Sequence, residues 1–430
     1  MNKRPLVPRD LVFPFILITS LFALWGFAND ITNPLVAAFG TVLEMSASKA
    51  ALVQFAFYGG YATMAFPAAL FARRFSYKKG ILLGLGLYAV GALLFLPAAR
   101  AGVYAYFLIA LYILTFGLAF LETTANPFIL SLGDKENATR RLNFSQAFNP
   151  IGSLLGMVVA SQVVLSMLQS DKVDNYRELD AVVKASIRAN DLMVIRNPYV
   201  ILGVVVLVLF VVIACVKIPE QHKTAKTISL SHTFKKVFGR AQYREGVIAQ
   251  VFYVGAQIMV WTFIIHYAEN IGYTKAQGQT FNIIAMGLFL VGRFSGTLLM
   301  RRVNSRKLLM VFAILAMTAT AGAILLNGTS GLCCLVAISA FMSIMFPTIY
   351  GIALEGMSDD EATIGSAGLV EAIVGGALMP PLQGLLIDRG DVGNIAAENF
   401  SYILPFLCFT MIMIYALRCL LRQRKQGFKE

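Results

Sequence analysis

Long apolar stretches alternate with short charged ones along almost the whole chain. Twelve of these stretches reach the roughly 20 residues that an α-helix needs to cross a hydrocarbon core. They are read at 11–38, 50–72, 80–98, 103–131, 143–167, 197–216, 246–268, 279–300, 308–326, 332–356, 364–387 and 400–421. The pattern predicts an all-α membrane protein with twelve transmembrane helices. The first stretch follows Lys3, Arg4 and Arg9. It is too long for the apolar region of a cleavable signal peptide, so it is expected to stay attached as the first spanning helix.

Composition agrees with the pattern. Hydrophobic residues make up 58% and charged residues 14% of 430 positions, against about 25% charged in ordinary soluble domains. A net charge of +13 raises the question of nucleic acid, and the placement of that charge answers it. With both termini on one side, 26 of the 36 lysines and arginines fall on that side and 9 on the other. Such an asymmetry in short loops is a topology signal that makes both termini cytoplasmic, and no nucleic-acid partner is expected. Some of this charge can also meet anionic lipid heads. The remaining cation, Arg293, lies inside a span and is expected to pair with a carboxylate or with backbone carbonyls as a gating or structural residue. The five cysteines, Cys215, Cys333, Cys334, Cys408 and Cys419, lie in or at the ends of spans and read as buried thiols. His222, His232 and His266 lack metal-ligand spacing, and no serine nucleophile motif stands out. The chain therefore reads as a non-enzyme with no cofactor and no tightly bound metal.

The basic stretch from Lys217 to Arg244 divides the spans six and six. The expected organisation is a six-helix bundle at 1–216, a cytoplasmic linker at 217–245 and a second six-helix bundle at 246–430, as in transporters built from two halves. The clusters at 73–79 and 301–307 repeat the basic pattern about half a chain apart. An external insert, Gln169 to Asn197, mixes charges with Leu179, Val182, Val183 and Ile187 and predicts a short amphipathic helix on the outer face. Gly59-Gly60, Asn126-Pro127, Asn149-Pro150, Phe346-Pro347, Gly375-Gly376 and Pro380-Pro381 mark bends or close helix contacts.

Three carboxylates, Asp30, Glu122 and Glu371, lie inside apolar spans. Each costs about 2.5 to 3.5 kcal/mol on insertion scales at the centre of a spanning helix, so such residues usually face a cavity and bind or relay something. The alternative is a solvated helix end or a structural hydrogen bond. Asn29, Asp30, Thr32 and Asn33 crowd one segment of the first span, and their amides suit sugar hydroxyls. Asp30 with Thr32 and Asn33 offers hard oxygens to Na⁺, whereas a lone carboxyl shielded from water, as expected at Glu122, suits H⁺. Tyr61 and Trp261 are candidates for stacking on a sugar ring.

The segments Leu121-Glu122-Thr123-Thr124-Ala125-Asn126-Pro127-Phe128 and Arg141-Leu142-Asn143 with Gln146 and Phe148-Asn149 resemble the fucose:proton symporter family of the major facilitator superfamily. So do Tyr253-Val254-Gly255-Ala256-Gln257, Gly292-Arg293-Phe294-Ser295-Gly296-Thr297 and Ser339-Ala340-Phe341-Met342. The resemblance implies the major facilitator fold around a central cavity, in a bacterial inner membrane, functioning as a monomer. It implies proton-coupled import of a hexose or deoxyhexose by alternating access, with Na⁺-coupled glucose-type symport as the alternative. Residue by residue it places Glu122 as the proton-responsive and sugar-binding acid, with Asn29, Gln146 and Asn149 lining the sugar cavity. Asn33 and Gln257 join them as polar candidates, while Asp30 and Glu371 stand as accessory ion-coupling groups. The chain departs from the family pattern in three places: Asn33 stands where the family carries an aspartate, Glu371 where it is uncharged, and Phe346 where some members have tyrosine.

Overall fold

A computed structural model describes residues 6–32, 35–45, 52–170, 172–173, 176–216 and 230–425. Twelve helices in it are long and apolar enough to cross a membrane, between Arg9 and Gln423. In chain order the elements are α1 Val12–Thr32, α2 Leu35–Val42, α3 Leu52–Arg74, α4 Tyr77–Leu93, α5 Phe95–Ala101 and α6 Tyr104–Ser131. There follow α7 Ala138–Gln146, α8 Asn149–Val159, α9 Ala181–Cys215, α10 Leu230–Gly239, α11 Ala241–Asn270, α12 Lys275–Leu299 and α13 Ser305–Leu325. The chain then runs through α14 Thr329–Met342, α15 Met345–Ala353, α16 Asp359–Glu371, α17 Gly375–Asp388, α18 Ala397–Ser401 and α19 Ile403–Lys425.

Helix starts follow local chemistry. Thr274 opens α12 and Ser358 opens α16 with reciprocal capping boxes to Gln277 and Glu361. Glu361 also pairs with Lys236 at 2.5 Å and Arg240 at 2.7 Å, and Thr233 donates to Asp360 at 3.1 Å. These contacts seat α10, which lies in the basic segment between the sixth and seventh spans, on the start of α16.

Several spans are broken. The fifth divides at Ala147-Phe148 and the tenth at Ser343-Ile344, while the eleventh passes through a 3₁₀ turn at Ala372–Val374. Pro150 and Pro347 lie just after the first two breaks, because proline has no N–H to continue the ladder. Pro127 and the pair Pro380-Pro381, by contrast, sit inside continuous helices. Gly60 serves contact and not bending: a Cβ there would lie 2.7 Å from Thr115 Cβ.

The external insert differs from its expected form. Its residues from Ala181 onward make the first turns of α9, a single helix of 35 residues that runs on through Pro198. Val182 and Val183 are exposed, while Ile187 and Asp191 face inward. The helix is anchored by Asp191, whose wholly buried carboxylate accepts from the Gln169 and Ser170 amides at 2.8 and 2.9 Å. Lys184 pairs with Glu44 at 3.1 Å. Loss of the charged acceptor in Asp191→Ala is expected to cost about 2 kcal/mol. It should appear as earlier heat denaturation of the detergent-solubilised protein, with the exposed change Val182→Ser having little effect. The cysteines also divide: Cys408 and Cys419 are buried, whereas Cys215 and Cys333 lie on exposed helix surface.

By internal packing the chain forms two compact units, one of Phe13–Phe128 with Ile151–Thr224, the other of Met1–Val12, Ile129–Pro150 and Ala225–Glu430. In the first, Gly152 and Gly156 of α8 lie directly on the α1 backbone at Ala23 and Phe27. In the second, the buried Arg141 guanidinium closes the end of α6, donating to the carbonyls of Ile129, Leu130 and Asp134 at 2.8, 2.6 and 3.2 Å, and to that of Leu6 at 3.3 Å. Asn143 donates to Thr348 Oγ1 at 3.1 Å, joining α7 to α15.

Candidate functional site

Glu122 is presented by α6, where the nearby Thr124 hydroxyl is already engaged. Thr124 donates to the Phe120 carbonyl at 2.6 Å, and Thr123 and Asn126 are buried. Glu122 itself is half-buried. Its Oε2 is shut from solvent with no hydrogen-bond partner, and it has no ion pair among the described residues. Tyr61 lies close enough to feel its charge. Tyr61 is 6% exposed and packs edge-on against Phe57, with ring centroids 5.8 Å apart. Its ring is therefore already largely packed within the protein. A lone carboxyl held among apolar groups can take up or give back one proton, changing the charge of its surroundings by one unit.

The polar cluster of the first span is divided by its helix. Asn29 is half-buried, and Asp30 is buried with Tyr58 beside it. Thr32 is committed elsewhere: its Oγ1 donates to the Ala28 carbonyl at 2.7 Å and lies 3.0 Å from the Tyr199 hydroxyl of α9. Asn33 lies outside the described residues. The cation set anticipated at Asp30, Thr32 and Asn33 thus extends beyond the described residues, with the Thr32 hydroxyl already shared with Tyr199. No group of three or more His, Cys, Asp or Glu among them could hold a metal ion.

The other compact unit holds the amide candidates Gln146, Asn149 and Gln257. The break between α7 and α8 displays Gln146, nearly buried, and Asn149, half-buried, on either side of Ala147-Phe148. Along α11 the residues Gln250, Tyr253, Gln257 and Trp261 recur at three- and four-residue steps and share one stripe. Gln257 is half-buried with no hydrogen-bond partner among the described residues. Trp261 donates its indole N–H to Ser339 at 3.2 Å and meets Phe289 edge-on at 5.1 Å, so its half-buried ring is what remains for a ligand. Gln250 was not singled out by sequence. It is fully buried and neither amide atom has a partner. The signal that could have found it is its spacing of seven from Gln257, two helical turns along the same face.

Arg293, 3% exposed, meets no carboxylate among the described residues. It donates to the Ser343 carbonyl at 2.6 Å and the Gln146 carbonyl at 3.0 Å, over the Phe289 ring at 4.5 Å. Of the two pairings open from sequence, the carbonyls are the one found. Glu371 is half-buried at the end of α16, with Tyr243 near it and no ion pair among the described residues. The Tyr243 hydroxyl already donates to the Gly365 carbonyl at 2.9 Å.

These residues belong to a chain with recognisable relatives. It is 58% identical to an L-fucose-proton symporter of Haemophilus influenzae, over 97% of this chain and 99% of that one. It is 32% identical to a glucose/galactose transporter of Brucella abortus, over 95% of this chain and 94% of that one. The crystal structure of the Escherichia coli fucose:proton symporter superposes with a TM-score of 0.87 at 34% identity, over 96% of this chain and 99% of that one. The family model for the Major Facilitator Superfamily matches residues 16–380. With the twelve spanning helices and the Leu-Glu-Thr-Thr-Ala-Asn-Pro-Phe segment in place, the chain belongs to the fucose:proton symporter family of the major facilitator superfamily.

Proposed function

We propose that this protein imports a hexose or deoxyhexose together with a proton, L-fucose being the first candidate and glucose or galactose the next. The observation that carries the proposal is the Glu122 carboxyl, unpaired and partly shut from solvent inside a family-specific segment. Protonated, it donates to a sugar hydroxyl; deprotonated, it places a charge beside the sugar. Proton and sugar thus each bind better when the other is present, and that coupling is reciprocal. Asn29, Gln146, Asn149 and Gln257 supply amide donors and acceptors for the remaining hydroxyls, and Trp261 supplies a ring face. Asp30 and Glu371 are accessory charges, and Asn33 keeps its place as a polar candidate.

In this reading the halves 1–216 and 246–430, joined by a cytoplasmic linker at 217–245, alternate access to the site. The carrier works as a monomer in a bacterial inner membrane, with both termini cytoplasmic, and requires no cofactor. The names of the relatives favour H⁺ over Na⁺. The test is uptake of labelled fucose, galactose, glucose and mannose into proteoliposomes under separate H⁺ and Na⁺ gradients. Fucose should accumulate with an inward H⁺ gradient and be indifferent to replacing Na⁺ by choline. Uptake that vanishes with choline at fixed pH overturns the proton assignment.

A further inference from the structure

Two prolines and one arginine account for the breaks in the fifth and tenth spans. In a continuous helix each carbonyl is taken by the N–H four residues on. The residue four beyond Gln146 is Pro150, and the residue four beyond Ser343 is Pro347. Neither can donate, so both carbonyls are left open at membrane depth, where open backbone groups are costly. The Arg293 guanidinium meets these same two oxygens, Nε to Ser343 at 2.6 Å and Nη1 to Gln146 at 3.0 Å. Both oxygens sit at the negative ends of helix segments, α7 and α14, which favour a cation. This accounts for a buried arginine with no acid beside it among the described residues. Phe289 lies under the charged plane at 4.5 Å and holds its orientation.

We propose that Arg293 is the positioning residue of the sugar site, clamping the proline-freed carbonyl of Gln146 to that of Ser343 so that Gln146 and Asn149 keep their aim. Arg293 does not touch the sugar; it acts through the backbone between two sugar-binding amides. The inference rests on the reading of Gln146 and Asn149 as sugar ligands. It also predicts that lysine is a poor replacement: one ammonium on a flexible stem does not reproduce a planar fork set between two fixed acceptors.

The test is sugar exchange at equal pH on both sides of proteoliposomes, which needs no proton gradient, with L-fucose as the probe. Arg293→Lys is expected to raise the half-saturating sugar concentration about tenfold, the scale of one charge-assisted hydrogen bond, while the maximal exchange rate stays within about twofold. A second variant guards against misfolding. Arg293→Met combined with Pro150→Ala and Pro347→Ala returns an N–H to each carbonyl, and should fold yet show the same rise. A folded variant of either kind with wild-type half-saturation overturns the proposal. So does failure of both to fold, the mark of a purely architectural arginine. Wild-type protein that exchanges no sugar would instead sink the transport reading itself.

Discussion

Glu122→Gln is expected to abolish gradient-driven sugar accumulation while leaving sugar exchange within about threefold of wild type, since only the hydrogen-bonding partners of a neutral acid are preserved. Glutamine occupies nearly the same volume and can still donate to a sugar hydroxyl, but it cannot carry a proton across. With no titrating group in the cycle, the sugar should come to the same concentration on both sides whatever the pH gradient. Two features make this residue the point of greatest effect. Its Oε2 has no hydrogen-bond partner and its carboxyl has no ion pair among the described residues, so none of them neutralises a change in its charge by direct pairing. It also sits on α6 two residues before Thr124, whose hydroxyl is bonded to the Phe120 carbonyl of its own helix, so the near-isosteric substitution leaves that bond in place. The measurement is paired: uptake under an inward H⁺ gradient, and exchange at equal pH. Full accumulation by Glu122→Gln would remove it from the coupling role. Glu371→Gln, at a half-buried helix end with no ion pair among the described residues, should weaken accumulation far less.

The second large effect concerns assembly. Gly152→Val should prevent recovery of folded, monodisperse protein. A Cβ at Gly152 would stand 1.7 Å from the Ala23 carbonyl oxygen, and one at Gly156 would stand 2.7 Å from that of Phe27. These obstacles are backbone atoms of α1 and cannot swing aside, as the end of a flexible side chain would. Overpacking a tight contact commonly costs about 1 to 3 kcal/mol, and a separation forced on two main chains lies at the upper end or beyond. Small residues four apart are the usual means by which membrane helices approach this closely. Because α1 also carries Asn29 and Asp30, Gly156→Ala should give a folded carrier with weakened sugar binding. Gly287→Ala is the control, since nothing lies within 4 Å of its Cβ position. Size-exclusion profiles and thermal stability in detergent separate these outcomes, and a Gly152→Val protein as stable as wild type would show that α1 and α8 are not packed in this way.

The spanning helices were legible because each is a local decision. An apolar run of the necessary length has to satisfy its own backbone in a bilayer, and the helix does so without help from distant residues. The exceptions arose where an end is settled from afar. Asn197-Pro198 looked like the start of the sixth span, yet the helix begins at Ala181. The polar and charged residues at 181–197 hid it from a count of apolar positions, while Asp191 and Lys184 find their partners at Gln169, Ser170 and Glu44. Thr32 looked like a cavity residue because hydroxyls in apolar segments often are, but Tyr199, 167 positions away, shares its hydrogen bond. In the sequence Gln250 is one polar residue in an apolar stretch. Its burial without a partner becomes evident only once its neighbours are in place.

By itself the sequence determined the class of molecule and the number and rough location of its membrane helices, and it offered Glu122 as a candidate acid, because apolar length and a contiguous motif are properties of short segments. Only the tertiary structure decided which partners the intramembrane polar groups meet. It turned Thr32 toward Tyr199, left Glu122 without an ion-pair partner among the described residues, and set Arg293 against two carbonyls whose local donors are prolines. The physical reason is that a polar group at membrane depth must find its partner through space. For Arg293 those partners lie 50 and 147 residues away along the chain.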